Sequence, residues 1–285
     1  MGLGLALGGG GLKGVAHIGV LKALDELGIK IDYLSGTSSG SIMAAMYAMG
    51  FTPDEMINIT KETYKTITTI SKRPIVTAVG NYFIKREVNI AGIIEGEKVE
   101  NLVKGFADKK KIKNISDIKI PFAVATVDAI STKEYILSSK EIKNKSKDIG
   151  YIHDIPIGTA VRASMAFPAV FTPCDYKEYS FMDGGTKDNL PIQVLKDMGA
   201  TKTLGISFKL DKYESNGNIL ATILRACDIF SLKDVRKAQG IADYFIEIDV
   251  KNAKLLEIKE MDKCIQAGYD MIMKNKEKIL ELVRE

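Results

Sequence analysis

A serine set between two glycines, Gly36-Thr37-Ser38-Ser39-Gly40, is the residue pattern in this chain with the clearest chemical content. It follows the apolar run Ile31-Asp32-Tyr33-Leu34, which reads as a strand. It precedes the run 42–49, which reads as a helix closed by Gly50. A serine on a sharp strand-to-helix turn is a nucleophile elbow. Glycine is expected at 36 and 40 because a side chain at either position would crowd the turn. The helix start would place free N–H groups and a positive dipole end beside Ser38. The chemistry implied is acyl transfer through a serine ester. The competing reading is an ordinary Gly/Ser turn with Ser39 or Ser41 capping the helix.

A second glycine cluster, Gly8-Gly9-Gly10-Gly11-Leu12-Lys13-Gly14, separates a first strand from a first helix. Three readings compete. Gly9 to Gly14 fits G-x-G-x-x-G, a dinucleotide fingerprint that needs an acid at the end of the second strand. Asp32 is near the right distance but stands at that strand's start. Alternatively, the exposed N–H groups form an oxyanion hole. The third reading is a tight turn with no ligand. Lys13 would face the positive end of the helix dipole, which suggests an anion nearby, unless its amine points to solvent.

A nucleophilic serine needs a proton acceptor. The chain has two histidines, His17 and His153. The order Ser, Asp, His could be met only by Asp117, Asp128 or Asp148 followed by His153, and none has a convincing post-strand setting. His17 lies in the first helix on the face of Val20, Leu21 and Leu24, where a packed histidine is expected. A histidine-free mechanism is therefore attractive, and Asp183-Gly184-Gly185 supplies its acid. It follows the strand-like run Tyr179-Ser180-Phe181-Met182 and precedes Asp188-Asn189-Leu190-Pro191. Read alone, Asp183-Gly184 is a turn joining strands.

Together these motifs resemble the patatin-like phospholipase family. Further support comes from Ala16-His17-Ile18-Gly19-Val20-Leu21, Arg162-Ala163-Ser164, Phe167-Pro168 and Phe171-Thr172-Pro173. The resemblance covers residues 3 to about 210, and 60–95 match nothing readable. It implies Ser38 as nucleophile, Asp183 as base, and the amides of Gly9, Gly10 and Gly11 as oxyanion donors, with Lys13 nearby. Gly14, Gly36, Gly40, Gly184 and Gly185 are the motif glycines. It implies no metal and no cofactor, and a fatty-acyl ester substrate such as a phospholipid or lysophospholipid. Two alternatives stand beside it: a dinucleotide-binding protein using the Gly9–Gly14 loop, and a catalytically silent lipid-binding regulator.

The elements that must position these residues alternate. Strands are expected at 3–7, 31–35, 121–127, 134–138, 203–208 and 244–249. Helices are expected at 13–28, 40–49, 53–69, 97–107, 155–165, 190–198, 219–237 and 260–283. Most strands are continuous apolar runs, as for strands buried on both faces. The fold class expected is α/β: a three-layer sandwich, mainly parallel, with helices on both faces. A single domain over 1–285 is expected, with a motif-bearing core at about 3–210 and a C-terminal strand and helices at 215–285. Stretches 66–95 and 139–153 look irregular, and the first is a candidate lid.

Composition narrows the function classes. The 285 residues are 46% hydrophobic, enough for a substantial core. A net charge of +4 does not demand a nucleic-acid partner. Cys174, Cys227 and Cys264 show no disulfide or zinc spacing, which suits a reducing cytoplasm. The opening segment lacks a basic region and reads as a buried strand rather than a signal peptide. No run reaches the ~18 apolar residues of a membrane span. Membrane contact is then peripheral, at the inner surface, through lysines at 109–113 and 140–147 if those bind anionic head groups. The sequence leaves the oligomeric state open.

Overall fold

The computed structural model describes residues 2–70, 96–142, 146–168, 170–210, 219–250 and 258–284. Its centre is a sheet in the order β5-β4-β3-β2-β1-β8-β9. The strands are β1 Leu3–Leu7, β2 Tyr33–Gly36, β3 Phe122–Asp128, β4 Glu134–Ser138, β5 Ile149–Ile152, β6 Cys174–Tyr176, β7 Tyr179–Asp183, β8 Lys202–Phe208 and β9 Tyr244–Ile248. The helices are α1 Ala16–Glu26, α2 Ser39–Ala48, α3 Pro53–Ile70, α4 Glu97–Lys109, α5 Ile157–Ser164, α6 Ile192–Met198, α7 Ile219–Ile241, α8 Ile258–Lys274 and α9 Lys276–Arg284. Neighbours β3-β2-β1-β8-β9 pair in parallel, as do β4 and β5. The pairs β3–β4, β3–β7 and β6–β7 are antiparallel.

The central strands read as apolar runs because both faces are covered. Leu3, Leu5 and Leu7 of β1 join the larger core with α1 and α2, whereas Ala6 packs with Leu190, Ile192 and Leu195 at α6. The alternation follows the two-residue period of a strand. Small residues on the α6 side let that helix sit close.

One arrangement positions the site. β3 carries β4 along one edge, paired through residues 123–127. Its other edge is shared end to end. β2 occupies it opposite Phe122 to Val124 and stops at Gly36. β7 arrives from the opposite direction and pairs there with Thr126 to Asp128, ending at Asp183. The ends of β2 and β7 are therefore two β3 residues apart, ~7 Å along the strand.

Several expectations change. The stretch 139–153 holds the edge strand β5, a half-buried four-residue run, Ile149-Gly150-Tyr151-Ile152, too short and glycine-interrupted to stand out after the lysine-rich segment before it. The helix expected from 13 is a 3-10 turn, Gly11–Val15, and α1 begins at Ala16. Helix 260–283 is two helices parted at Asn275, whose side chain donates to Met271 O at 2.8 Å and accepts the Tyr244 hydroxyl at 2.8 Å. α3 continues to Ile70, so 66–70 of the candidate lid are helical; its remainder, 71–95, lies outside the described residues.

α8 crosses α1 at two glycines. A Cβ on Gly19 would strike Ile265 O and come 2.7 Å from Tyr269 N, and one on Gly268 would strike Ala16 O. The backbones touch there, so overpacking has no flexible side chain to displace. Gly19→Ala should destabilise the protein by ~1–3 kcal/mol. A urea unfolding midpoint checks this; a midpoint equal to the parent's would refute the close crossing.

Candidate active site

Ser38 sits between β2 and α2 with φ 53° and ψ −127°. A non-glycine residue there carries strain of ~1–3 kcal/mol and persists only where its surroundings impose it. Those surroundings are visible. The Ser38 N–H donates to Ser164 Oγ at 3.0 Å, and Ser41 Oγ donates to Ser38 O at 2.6 Å. A Cβ on Gly40 would strike Leu7 O, and one on Gly36 would come 2.7 Å from Gly40 O. The two glycines are needed for close approach, as the elbow reading expects. Thr37 and Ser39 are buried while Ser38 is partly exposed, so the turn lifts one serine out. Neither Ser39 nor Ser41 caps α2: Ser39 Oγ accepts the Gly10 N–H at 3.1 Å.

Asp183 ends β7 and is buried. Its Oδ1 accepts the Gly185 N–H at 2.8 Å. Its Oδ2 is buried with no full hydrogen bond among the described residues. Burial pushes the carboxyl up to about 6, against the pull of the Ser38 hydroxyl and the Gly185 amide. The Ser38 hydroxyl thus acts on this carboxyl while falling outside strict hydrogen-bond geometry, as is common for such pairs without substrate. A Cβ on Gly184 would strike Ala125 O, so the glycine after the acid lets the chain press against β3.

The segment Asp188-Asn189-Leu190-Pro191 ties these parts together. Thr37 Oγ1 donates to Asp188 O at 2.8 Å, Ser35 Oγ to Pro191 O at 2.7 Å, and the Gly9 N–H to Asn189 O at 3.2 Å. Of the three amides expected as oxyanion donors, Gly9 is therefore already engaged. The Gly10 N–H is engaged too, donating to Ser39 Oγ, and the Gly11 N–H has no acceptor among the described residues. Gly11 has φ +56°, which a side chain tolerates poorly; Gly10 instead lies where a Cβ would strike the Phe208 ring. Gly14 packs on Ser39, which a Cβ would displace. The Lys13 amine donates to Lys209 O at 3.1 Å.

The histidines are placed elsewhere. His17 is fully buried against Phe208, with Nε2 2.9 Å from Gly8 O. A carbonyl only accepts, so Nε2 carries the proton. Burial pushes its pKa down to about 4, so the ring is neutral at pH 7. His17 braces the glycine loop from below. His153 Nδ1 is 2.8 Å from Ser138 O, and Ser138 pairs with Ala123 near the start of β3, away from Ser38. Asp32 accepts the Leu3 N–H at 3.1 Å and pairs with Lys30 at 2.6 Å. It stands at the amino end of β1, ~16 Å of strand from the glycine loop, too far to serve a ligand held there. Ser164, His17 and Asn189 are the positioning residues that motif reading did not assign.

The shift of Asp183 has a stability consequence. Its folded pKa exceeds the ordinary 3.8, so the folded chain holds this proton more tightly than the unfolded one. The stabilisation is fully present below the unfolded value and is lost as pH rises through about 6. Asp183→Asn should be more stable than the parent by up to ~3 kcal/mol near pH 8 and by about half that near pH 5. Urea midpoints at both pH values test this; a gap independent of pH would contradict it.

The chain is similar to known proteins over most of its length. A family model described as patatin-like phospholipase matches residues 5–196. An uncharacterized NTE family protein of Mycobacterium bovis is 28% identical over 93% of this chain and 45% of its own length. Patatin-like phospholipase domain-containing protein 6 of Homo sapiens is 30% identical over 72% of this chain and 13% of its own. The chain thus spans less than half the length of these relatives. The crystal structure of the type III effector protein ExoU aligns over 96% of this chain and 53% of its own, at 13% identity and a TM-score of 0.51, a likeness of fold alone. With the family model covering most of the described α/β core, this chain belongs to the patatin-like phospholipase family.

Proposed function

We propose that the protein is a serine acyl hydrolase acting on fatty-acyl esters of phospholipids or lysophospholipids, through a Ser38–Asp183 dyad. The observation that carries this reading is a strained, outward-facing serine beside a buried carboxylate with a spare oxygen. Family membership supports the lipid ester as substrate class.

As Ser38 Oγ attacks the ester carbonyl carbon, its proton passes to Asp183 Oδ2. Charge develops on the carbonyl oxygen, which takes a hydrogen bond from the Gly11 N–H and a second from the Gly10 N–H as that amide turns from Ser39 Oγ. A preorganised donor of this kind is worth ~10²–10³ in rate. The C–O bond to the alcohol breaks, and the alcohol leaves with the proton from Asp183. Water then attacks acyl-Ser38 and gives its proton to Asp183. Release of the fatty acid returns a proton to Ser38 Oγ. Burial that raises Asp183 makes it a stronger base than an exposed carboxylate, which is what proton abstraction from a serine requires.

Ser38→Ala should abolish hydrolysis of a p-nitrophenyl acyl ester, and Asp183→Asn should lower it by ~10²–10⁴. His153→Ala should leave the rate in place. Parent kcat/KM should rise with pH along one limb centred near 6, as Asp183 loses its proton in the free enzyme. An active Asp183→Asn variant, or a limb that moves when His153 is replaced, would contradict the dyad.

A further inference from the structure

Among the described residues, five large apolar side chains are exposed: Leu12, Ile130, Leu210, Ile229 and Phe230. Single exposed apolar residues are ordinary on a protein surface. Their placement here is not scattered. Leu12 follows the carboxyl end of β1, Ile130 that of β3 and Leu210 that of β8. Ser38 follows the carboxyl end of β2, between β1 and β3. Ile229 and Phe230 lie on α7, which packs on the Gly184–Thr186 turn after Asp183. One turn earlier on α7, Cys227 is close enough to feel the Asp183 charge. Ile130 and Phe230 are 71% and 68% exposed, more than packing against the fold requires.

The lysines expected to bind head groups are mostly elsewhere. Lys110 donates to Gly50 O at 2.9 Å, beyond the far end of α2, ~15 Å of helix from Ser38. Lys140 follows Ser139, whose N–H donates to Phe122 O at the first residue of β3. Lys147 lies toward the other end, beside β5. Lys143 and Lys145 lie outside the described residues. On α7, by contrast, Lys233, Arg236 and Lys237 are exposed within two turns of Phe230. Apolar side chains followed by cations on one helix suit the boundary between acyl chains and phosphates.

We propose that the carboxyl-end face of the sheet is the docking face for an anionic phospholipid surface. Ile229 and Phe230 of α7 enter the acyl boundary on the side of the sheet that carries Ser38, and Lys233, Arg236 and Lys237 meet lipid phosphates. This rests on the lipid hydrolase reading, and it moves the contact from the lysine clusters to α7. An ester held in the bilayer then reaches Ser38 without crossing water.

The test uses the full chain and equimolar phosphatidylcholine–phosphatidylglycerol vesicles. Sedimentation is measured in a Ser38→Ala background, so binding is read without turnover. Replacing Ile229 and Phe230 together by serine should lower vesicle partitioning by ~10-fold or more. The same pair in the active protein should leave hydrolysis of a monomeric short-chain ester unchanged, which also shows that the variant folds. Lys109→Glu with Lys111→Glu should leave partitioning unchanged. Equal partitioning with and without Ile229 and Phe230, or a loss that follows Lys109 and Lys111, overturns the docking face. A parent that sediments through α7 yet cleaves neither vesicle lipid nor soluble ester overturns the hydrolase reading and leaves the docking face standing.

Discussion

The site depends on one edge of one strand. β2 leaves the edge of β3 after Gly36, and β7 enters the same edge from the other direction and ends at Asp183. A parallel strand and an antiparallel strand thus meet end to end, and each delivers one chemical group at the junction. No side-chain reach is needed to bring Ser38 and Asp183 together, because backbone pairing fixes both chain ends. Both groups are held at a cost. Ser38 occupies a backbone conformation that disfavours side chains, and Asp183 is a carboxyl removed from water. The bonds from Thr37 and Ser35 to the 188–191 segment, and from Ser38 N–H to Ser164, are the framework that sustains them.

A second layer supports the first. α1 carries His17, which donates to Gly8 O beneath the glycine loop. α1 is in turn held by α8 through the close crossing at Gly19 and Gly268. The C-terminal helices lie beyond the 5–196 family match, yet Met261, Ile265, Ile272, Ile279 and Leu282 join the same core as Leu5 and Leu7. Their packing reaches the glycine loop through one histidine whose burial keeps it neutral.

Much of this was legible in the chain because it is local. A strand, a glycine-flanked serine and a helix are adjacent in sequence, and apolar runs mark the strands buried on both faces. What was not legible is long-range or half-buried. Ser164 is 126 residues from Ser38, and no pattern announces that its hydroxyl holds the elbow. The Gly9 amide looked like a free donor because nothing in the glycine run shows Asn189 O taking it. β5 is not legible because its apolar run is four residues long, contains Gly150 and follows a lysine-rich segment. The break at Asn275 comes from a side chain that bonds its own helix and Tyr244, not from a glycine or proline. His17 was legible as packed, but not as a brace for the loop.

The central claim is that Ser38 is activated by Asp183 alone. The most direct measurement is the rate of covalent modification by a fluorophosphonate, followed by intact mass across pH and mapped by peptide. The account requires one adduct, on Ser38, forming at a rate that rises with pH through a midpoint near 6 and is lost in Asp183→Asn. An adduct on another residue would contradict it, as would an Asp183→Asn variant that labels at the parent's rate.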